Sequence, residues 1–313
     1  SGSTPFRRSK AVALPMTKTE AATALDLGPN AKVGIIAGGG VLPVEVATGL
    51  AAQGHRPFIV LVEGEADRSA ELTAYEHCPF KLENFASLIP LLKRNHVTHL
   101  VLAGEIRRRP KLRNMQLTPG FLLMIPRAVV ALARGDDGLL RMMTQLFEAR
   151  GIKVLGAHEV VPELAAAEGV LTRTGPEKRD WLDIHAAQRA AKAIGALDIG
   201  QAAIAVGGRV IALEGIEGTA GLLDRGRLLR GHGRLAGKTR GVLVKCAKPG
   251  QELRADLPSI GPQTVEAAHA AGLAGIAVEA GRSLVLDGPA TIGRADALGL
   301  FIVGLRAGEH ADG

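Results

Sequence analysis

The chain has 313 residues, 47% of them hydrophobic but only 3% aromatic, and 38 basic against 31 acidic residues leave a formal charge of +7. That length exceeds an ordinary single domain and the apolar share can fill two cores, so two domains are expected. The scarcity of aromatics argues against a sandwich anchored by aromatic rings and removes the stacking platforms that single-stranded nucleic acid needs. The positive charge favours an anionic partner without selecting one.

Residues 1–30 read as a disordered or tag-derived tail: Arg7, Arg8 and Lys10 have no apolar signal core behind them, and Met16 is a candidate start. No apolar run reaches the roughly 18 to 20 residues that cross a bilayer. Cys78 and Cys246 show neither metal-ligand spacing nor a disulfide framework, so a reducing cytosol is expected.

Lys32 to Ala37 reads as a buried strand, followed by Gly38-Gly39-Gly40 and an apolar helical pattern through Val44, Ala47 and Leu50. Further strands are expected at Pro57 to Val62, His99 to Ala103 and Lys153 to Leu155. A helix is expected around Leu88, Leu91 and Leu92, another over Phe121 to Arg134, and a third from Asp136-Asp137 through Leu139, Leu140, Met143, Leu146 and Phe147. This alternation predicts a Rossmann-like parallel sheet over residues 31–160. Pro162, Gly169, Gly175 and Pro176 mark 161–178 as the interdomain connection.

Residues 179–313 read as a catalytic α/β domain of mixed topology. It opens with a helix whose apolar face is Trp181, Ile184, Ala187, Ala191 and Ile194, with Gly195 as its stop. Ala202 to Val206 and Arg209 to Leu213 flank Gly207-Gly208, the dipeptide of a tight hairpin. Later strands are expected at Gly241 to Cys246, Ala274 to Val278, Ser283 to Leu286 and Leu300 to Val303, with helices near Val265 to Ala271 and Thr291 to Leu298.

The glycine loop, Gly38 to Gly40, stands where backbone N–H groups at a helix N-terminus can cradle a diphosphate; the plainer reading is a tight turn, because Pro43 replaces the third glycine of a dinucleotide fingerprint. Glu63, at the end of the second strand, keeps an NAD(P)-dependent oxidoreductase open as an alternative, although no hydride-transfer constellation follows. Arg107, Arg108, Arg109, Lys111 and Arg113 form a basic cluster at a strand's carboxyl end, suited to a phosphorylated substrate or an acidic membrane surface. His158-Glu159 lacks a second histidine at helical spacing and reads as a structural pair. The second half is denser in chemistry: acids, amides and lysines recur at strand ends in Asp198 to Gln201, Glu214 to Thr219, Lys245, Lys248-Pro249 and Asp256 to Gly261. Carboxylates there can hold Mg²⁺ while lysines offset a diphosphate; capping and turn roles account for Thr219 or Ser259 singly, less well for the set.

The strings Gly34-Ile-Ile-Ala-Gly-Gly-Gly-Val-Leu-Pro43, Gly135-Asp-Asp-Gly-Leu-Leu-Arg141, Gly156-Ala-His-Glu-Val160, Leu197-Asp-Ile-Gly-Gln201, Glu217-Gly-Thr219, Lys248-Pro249 and Asp256-Leu-Pro-Ser-Ile-Gly261 together resemble the LpxI family of UDP-2,3-diacylglucosamine pyrophosphatases, over nearly all of Lys32 to Leu305. The resemblance implies metal-assisted attack of water on the α-phosphorus, giving UMP and lipid X, the 2,3-diacylglucosamine 1-phosphate of lipid A biosynthesis. Asp256 matches the aspartate of the family's Asp-Leu-Pro-x-Ile-Gly string, with Ser259 in place of the more usual threonine. Chemistry and resemblance together nominate Asp256, Glu217 and Lys245 as catalytic, Asp256 and Glu217 as ligands of Mg²⁺, and Gly38, Gly39, Gly40, Gln201, Gly218, Thr219, Lys248 and Ser259 as substrate-binding. The expected partners are the nucleotide lipid and, transiently, the inner leaflet of the inner membrane, with no nucleic acid; a homodimer is the candidate assembly. A nucleotide or lipid carrier without turnover is the opposing class.

Overall fold

The computed structural model describes residues 25, 27, 28, 30–108, 135–235 and 237–306. The tail before Leu25, the helix expected over Phe121 to Arg134, and Arg109, Lys111 and Arg113 of the basic cluster lie outside the described residues.

The first half builds a sheet from β1 (Val33–Ala37), β2 (Phe58–Val62), β3 (Glu76–Phe80), β4 (His99–Ala103) and β5 (Lys153–Leu155), with helices α1 (Leu42–Ala52), α2 (Ser69–Leu72), α3 (Leu88–Arg94), α4 (Gly135–Glu148) and α5 (Ala157–Val160). Its order is β3-β2-β1-β4-β5 and every pairing is parallel, the arrangement of a Rossmann-like half-sheet. β1 and β2 are buried along their whole length because helices cover both faces. Gly34 is required by that packing, since a Cβ there would stand 2.9 Å from Val97 Cγ1. β3 was not expected from the sequence: it is a mostly exposed edge strand carrying Pro79, tolerated only where one side of the ladder is unpaired.

In the second half, β6 (Gly169–Val170), β7 (Ala202–Val206), β8 (Arg209–Leu213), β9 (Val242–Lys245), β11 (Gly275–Glu279) and β13 (Phe301–Leu305) form a mixed sheet, in the order β6-β13-β11-β9-β7-β8. β9, β11 and β13 are mutually parallel, while β6, β7 and β8 join antiparallel. Helices α6 (Asp180–Ala196), α7 (Gly218–Leu228), α8 (Pro262–Ala270) and α9 (Gly288–Leu298) complete this half. Gly207 and Gly208 take φ of +62° and +79°, as the β7–β8 hairpin demands. Gly195, expected to stop α6, instead lies inside it and is buried against Lys248 Cα and Pro249 Cδ, each 3.4 Å from where its Cβ would be. The left-handed residue that follows the helix is Asp198, with φ of +54°.

The chain passes from one core to the other between Leu164 and Ala166. It then crosses back: β10 (Ser259–Ile260) and β12 (Leu284–Val285) form a small parallel pair beside the main sheet, and Leu257 and Leu284 are buried in the first domain's core. Two such leucines contribute roughly 1.5 to 3 kcal/mol each, enough to fix the segment that precedes β10 against the first domain.

Candidate active site

The last residue of β9, Lys245, is buried at a sheet end, and its Nζ donates to the backbone oxygen of Ser259 at 2.8 Å. Burial pulls its ammonium below the ordinary lysine range, while the negative charges of Glu214, Asp256 and Glu105 oppose that loss. These three acids come from the end of β8, the loop before β10 and the end of β4, so Lys245 marks the place where the two domains face each other.

Asp256 is open to solvent, yet enough protein surrounds it to push its carboxyl above the usual range, as expected of a group at the wall of a cleft. Its Oδ2 accepts from Gln251 Nε2 at 2.8 Å, and Lys248 and Lys245 supply positive charge against the repulsion of Asp137. Lys248 is aimed by an ion pair to Asp198 of 2.6 Å, the left-handed residue after α6, and its N–H donates to Gln251 Oε1 at 2.8 Å. Asp256, Lys245, Lys248 and Ser259 thus all lie on one stretch of chain, 245–259, and Asp198 at the end of α6 joins them through Lys248.

The segment bearing Asp256 is held from the first domain. Asp137 on α4 accepts the Glu252 N–H at 2.8 Å, Arg141 donates to the Gly250 carbonyl at 2.5 Å, and Arg254 pairs with Glu148 at 2.6 Å. The Gly-Asp-Asp-Gly-Leu-Leu-Arg string contributes through these contacts, a role not readable from spacing because its partners lie more than 100 residues away.

Glu214, buried where β8 ends, accepts from Thr219 Oγ1 at 2.7 Å and from Gln201 N–H at 2.8 Å. Gln201 Oε1 is buried with no hydrogen-bond partner, an acceptor still without a donor. Glu217 precedes α7, where its carboxylate pairs with Arg225 at 2.6 Å, and the acid whose charge comes first among those acting on Lys245 is Glu214. A period-of-two reading of β8 would have found it, because Glu214 shares the buried face of Ala212 while Leu213 points out. Gly218 follows with φ of +69° and open space around its Cα, its N–H bonded to Gly215 O at 3.1 Å. Among the described residues, no group of three or more His, Cys, Asp or Glu side chains is placed to hold a metal ion.

The glycine loop uses its N–H groups internally. Gly38 donates to Ala103 O, Gly39 to Glu105 O and Gly40 to Asp67 Oδ1, at 2.8, 2.8 and 2.9 Å, and Glu105 N–H returns to Gly39 O at 3.1 Å. The three donors of the expected diphosphate cradle are thus engaged within the protein, and the Gly39–Glu105 bridge joins the segments that follow β1 and β4, at the switch point of the sheet. Arg107 and Arg108 are exposed, their backbone N–H groups donating to Glu65 and their side chains pairing at the surface with Glu105 and Glu83. Glu159 Oε2 accepts the Gly156 N–H at 2.6 Å, whereas His158, whose pKa burial lowers, has a buried Nδ1 without a hydrogen-bond partner.

Family models match both halves of the chain, the LpxI N-terminal domain over residues 32–164 and the LpxI C-terminal domain over residues 167–303. The chain belongs to the LpxI family. A curated relative, the UDP-2,3-diacylglucosamine pyrophosphatase LpxI of Caulobacter vibrioides, is 39% identical over 283 residues, spanning 89% of this chain and 99% of that protein. The resemblance read from the short strings is therefore carried by both halves of the chain, and Asp256 lies on the segment of the second half that Asp137, Arg141 and Glu148 of the first half hold. No helix among the described residues is long and apolar enough to cross a membrane.

Proposed function

We propose that the chain hydrolyses UDP-2,3-diacylglucosamine at the cleft around Asp256, giving UMP and 2,3-diacylglucosamine 1-phosphate in lipid A synthesis. Family membership supports the substrate. The observation that carries the chemistry is an accessible carboxylate, Asp256, held by Gln251, on the same short stretch as Lys248, held by Asp198, and the buried Lys245, held by the Ser259 carbonyl.

A diphosphate repels nucleophiles because adjacent oxygens share its negative charge. Lys245 and Lys248 offset that charge, most effectively where water is sparse. Asp256 orients the attacking water and takes its proton, a task for which a raised proton affinity suits a carboxylate. The new P–O bond forms at the α-phosphorus; the bond from that phosphorus to the bridging oxygen breaks, and the acylated sugar phosphate leaves with the electron pair. The buried, unpartnered Gln201 Oε1 can accept from a substrate hydroxyl or N–H.

Mg²⁺ binds through one or two carboxylates completed by substrate phosphates and waters, so the Asp256 carboxylate fits such an ion without a preformed protein cage. When bound, the ion would supply further charge neutralisation. Glu217 does not join this reading, because Arg225 holds its carboxylate. Transient contact with the inner leaflet of the inner membrane follows from two acyl chains on the substrate.

The test is incubation with detergent-solubilised substrate in ¹⁸O-labelled water, with Mg²⁺ or with chelator. Equal release of UMP and sugar phosphate is expected, with the label in UMP and loss of turnover under chelation. Label in the sugar phosphate would move the attack to the β-phosphorus; retention of intact nucleotide lipid would favour a carrier, and an absorbance change with a nicotinamide cofactor an oxidoreductase.

A further inference from the structure

Glu214 is the acid most firmly committed inside this cleft, and nothing above gives it a part in the reaction. Both of its carboxylate oxygens are occupied, one by the Thr219 hydroxyl at 2.7 Å and one by the Gln201 N–H at 2.8 Å. Its own N–H donates to Ala202 O at 2.9 Å, and its carbonyl lies against Gly200, where any Cβ would collide with it. Its charge leads those acting on the buried Lys245, ahead of Asp256 and Glu105. Two segments, at residues 201 and 219, therefore converge on one carboxylate, while Lys245, to which its charge extends, is itself bonded to the Ser259 carbonyl. Burying a carboxylate is costly unless it is fully partnered, and here its partners belong to Gln201 and Thr219, the residues that the sequence nominates for substrate binding.

We propose that Glu214 is a positioning residue for the hydrolysis, holding the Thr219 hydroxyl and the Gln201 loop in the arrangement that meets the diphosphate, without touching substrate itself. This rests on the pyrophosphatase reading above. A misplacement of about 1 Å at reacting groups can cost on the order of a hundredfold in rate, so a side chain outside the contact layer can still govern turnover.

The experiment measures kcat and KM for UMP release by the full chain and by Glu214→Gln, Thr219→Val, Thr219→Ser and the double variant Glu214→Gln/Thr219→Val. Glu214→Gln is expected to fold and to lose about 10- to 100-fold in kcat with KM changed by less than about threefold, since the lost arrangement acts in the transition state. Thr219→Val should lose a smaller factor, which Thr219→Ser restores by returning the hydroxyl. The double variant should be no slower than Glu214→Gln within about twofold, because both changes break one shared bond. An acid that only stabilises the turn would instead lower the melting temperature and leave kcat of the folded protein within about twofold of wild type, and that result overturns the proposal. Should Glu214→Gln fail to fold, equal kcat in Thr219→Val and Thr219→Ser overturns it. A wild-type chain inert towards the nucleotide lipid removes the pyrophosphatase reading and this proposal together, whereas an active wild type with indifferent variants removes this proposal alone.

Discussion

Replacing Asp256 by Asn removes the one carboxylate assigned to the attacking water and changes little else. The side chain is solvent-accessible, so no cavity forms, and its carboxylate accepts a hydrogen bond from Gln251 Nε2. The amide oxygen of Asn can still accept that bond, which limits the stability change to about 1 kcal/mol, a net hydrogen bond at most. The rate should respond on a different scale. Loss of general-base assistance costs about 10²- to 10⁴-fold, equivalent to roughly 3 to 5 kcal/mol at 1.36 kcal/mol per decade. Substrate affinity should hold or tighten, because Lys245 and Lys248 lose a competing negative charge and keep their attraction for the diphosphate. The measurements are kcat and KM for UMP release, direct binding of the uncleaved nucleotide lipid, and a thermal melt of the same preparation. A folded Asp256→Asn chain that retains more than about a tenth of wild-type kcat would refute the assignment, because no proton acceptor at that position would then be needed.

The Lys245 ammonium is protonated in this mechanism and burial lowers its pKa, so turnover should fall on the alkaline side at a pH below the ordinary lysine value of about 10.4; a rate flat through that value contradicts the role. The unfolded chain holds this proton to higher pH than the folded one, so Lys245 makes folding more favourable as pH rises through the interval between its lowered pKa and about 10.4. Gly38→Ala should destabilise the fold by about 1 to 3 kcal/mol, because its Cβ meets the Glu105 carbonyl, whereas Gly39→Ala should be milder, with Glu65 O at 3.1 Å. Neither should weaken nucleotide binding in the protein that remains folded, since the loop's N–H groups are already bonded; a selective loss of binding would return the loop to the diphosphate. Cys246 is buried and its thiol is pushed up to about 12, so a thiol reagent at pH 8 should leave it unmodified until the chain is denatured.

The sequence by itself determined most of the elements and the order in which they alternate. Runs such as Phe58–Val62 and Ala202–Val206 are apolar at every position, which marks buried strands, and Gly207-Gly208 could only be a tight turn between antiparallel partners. It also marked Asp256, Lys245 and Lys248 as chemistry at strand ends. β3 escaped because an edge strand is half exposed and tolerates Pro79, so it lacks the apolar run that identifies a buried one. Gly195 was misread because a glycine near a helix end has two uses, an αL stop or close packing, and only the neighbouring Lys248 and Pro249 backbone selects the second.

What only the tertiary structure decided is which polar groups are already satisfied. Three glycines after a strand look the same in sequence whether their N–H groups face a phosphate or a carbonyl, and here Ala103, Glu105 and Asp67 take them. Glu214 and Glu217 are three residues apart and chemically alike. Strand parity and a nearby arginine separate them, the first turned inward and bonded to Thr219 and Gln201, the second paired at the surface with Arg225. The anchoring of the Asp256 segment by Asp137, Arg141 and Glu148 depends on contacts across more than 100 residues, which follow from how the two sheets are joined and not from local pattern. Hydrophobic periodicity is a local signal and survives in the linear sequence; the pairing of buried donors, acceptors and charges is a property of the folded chain.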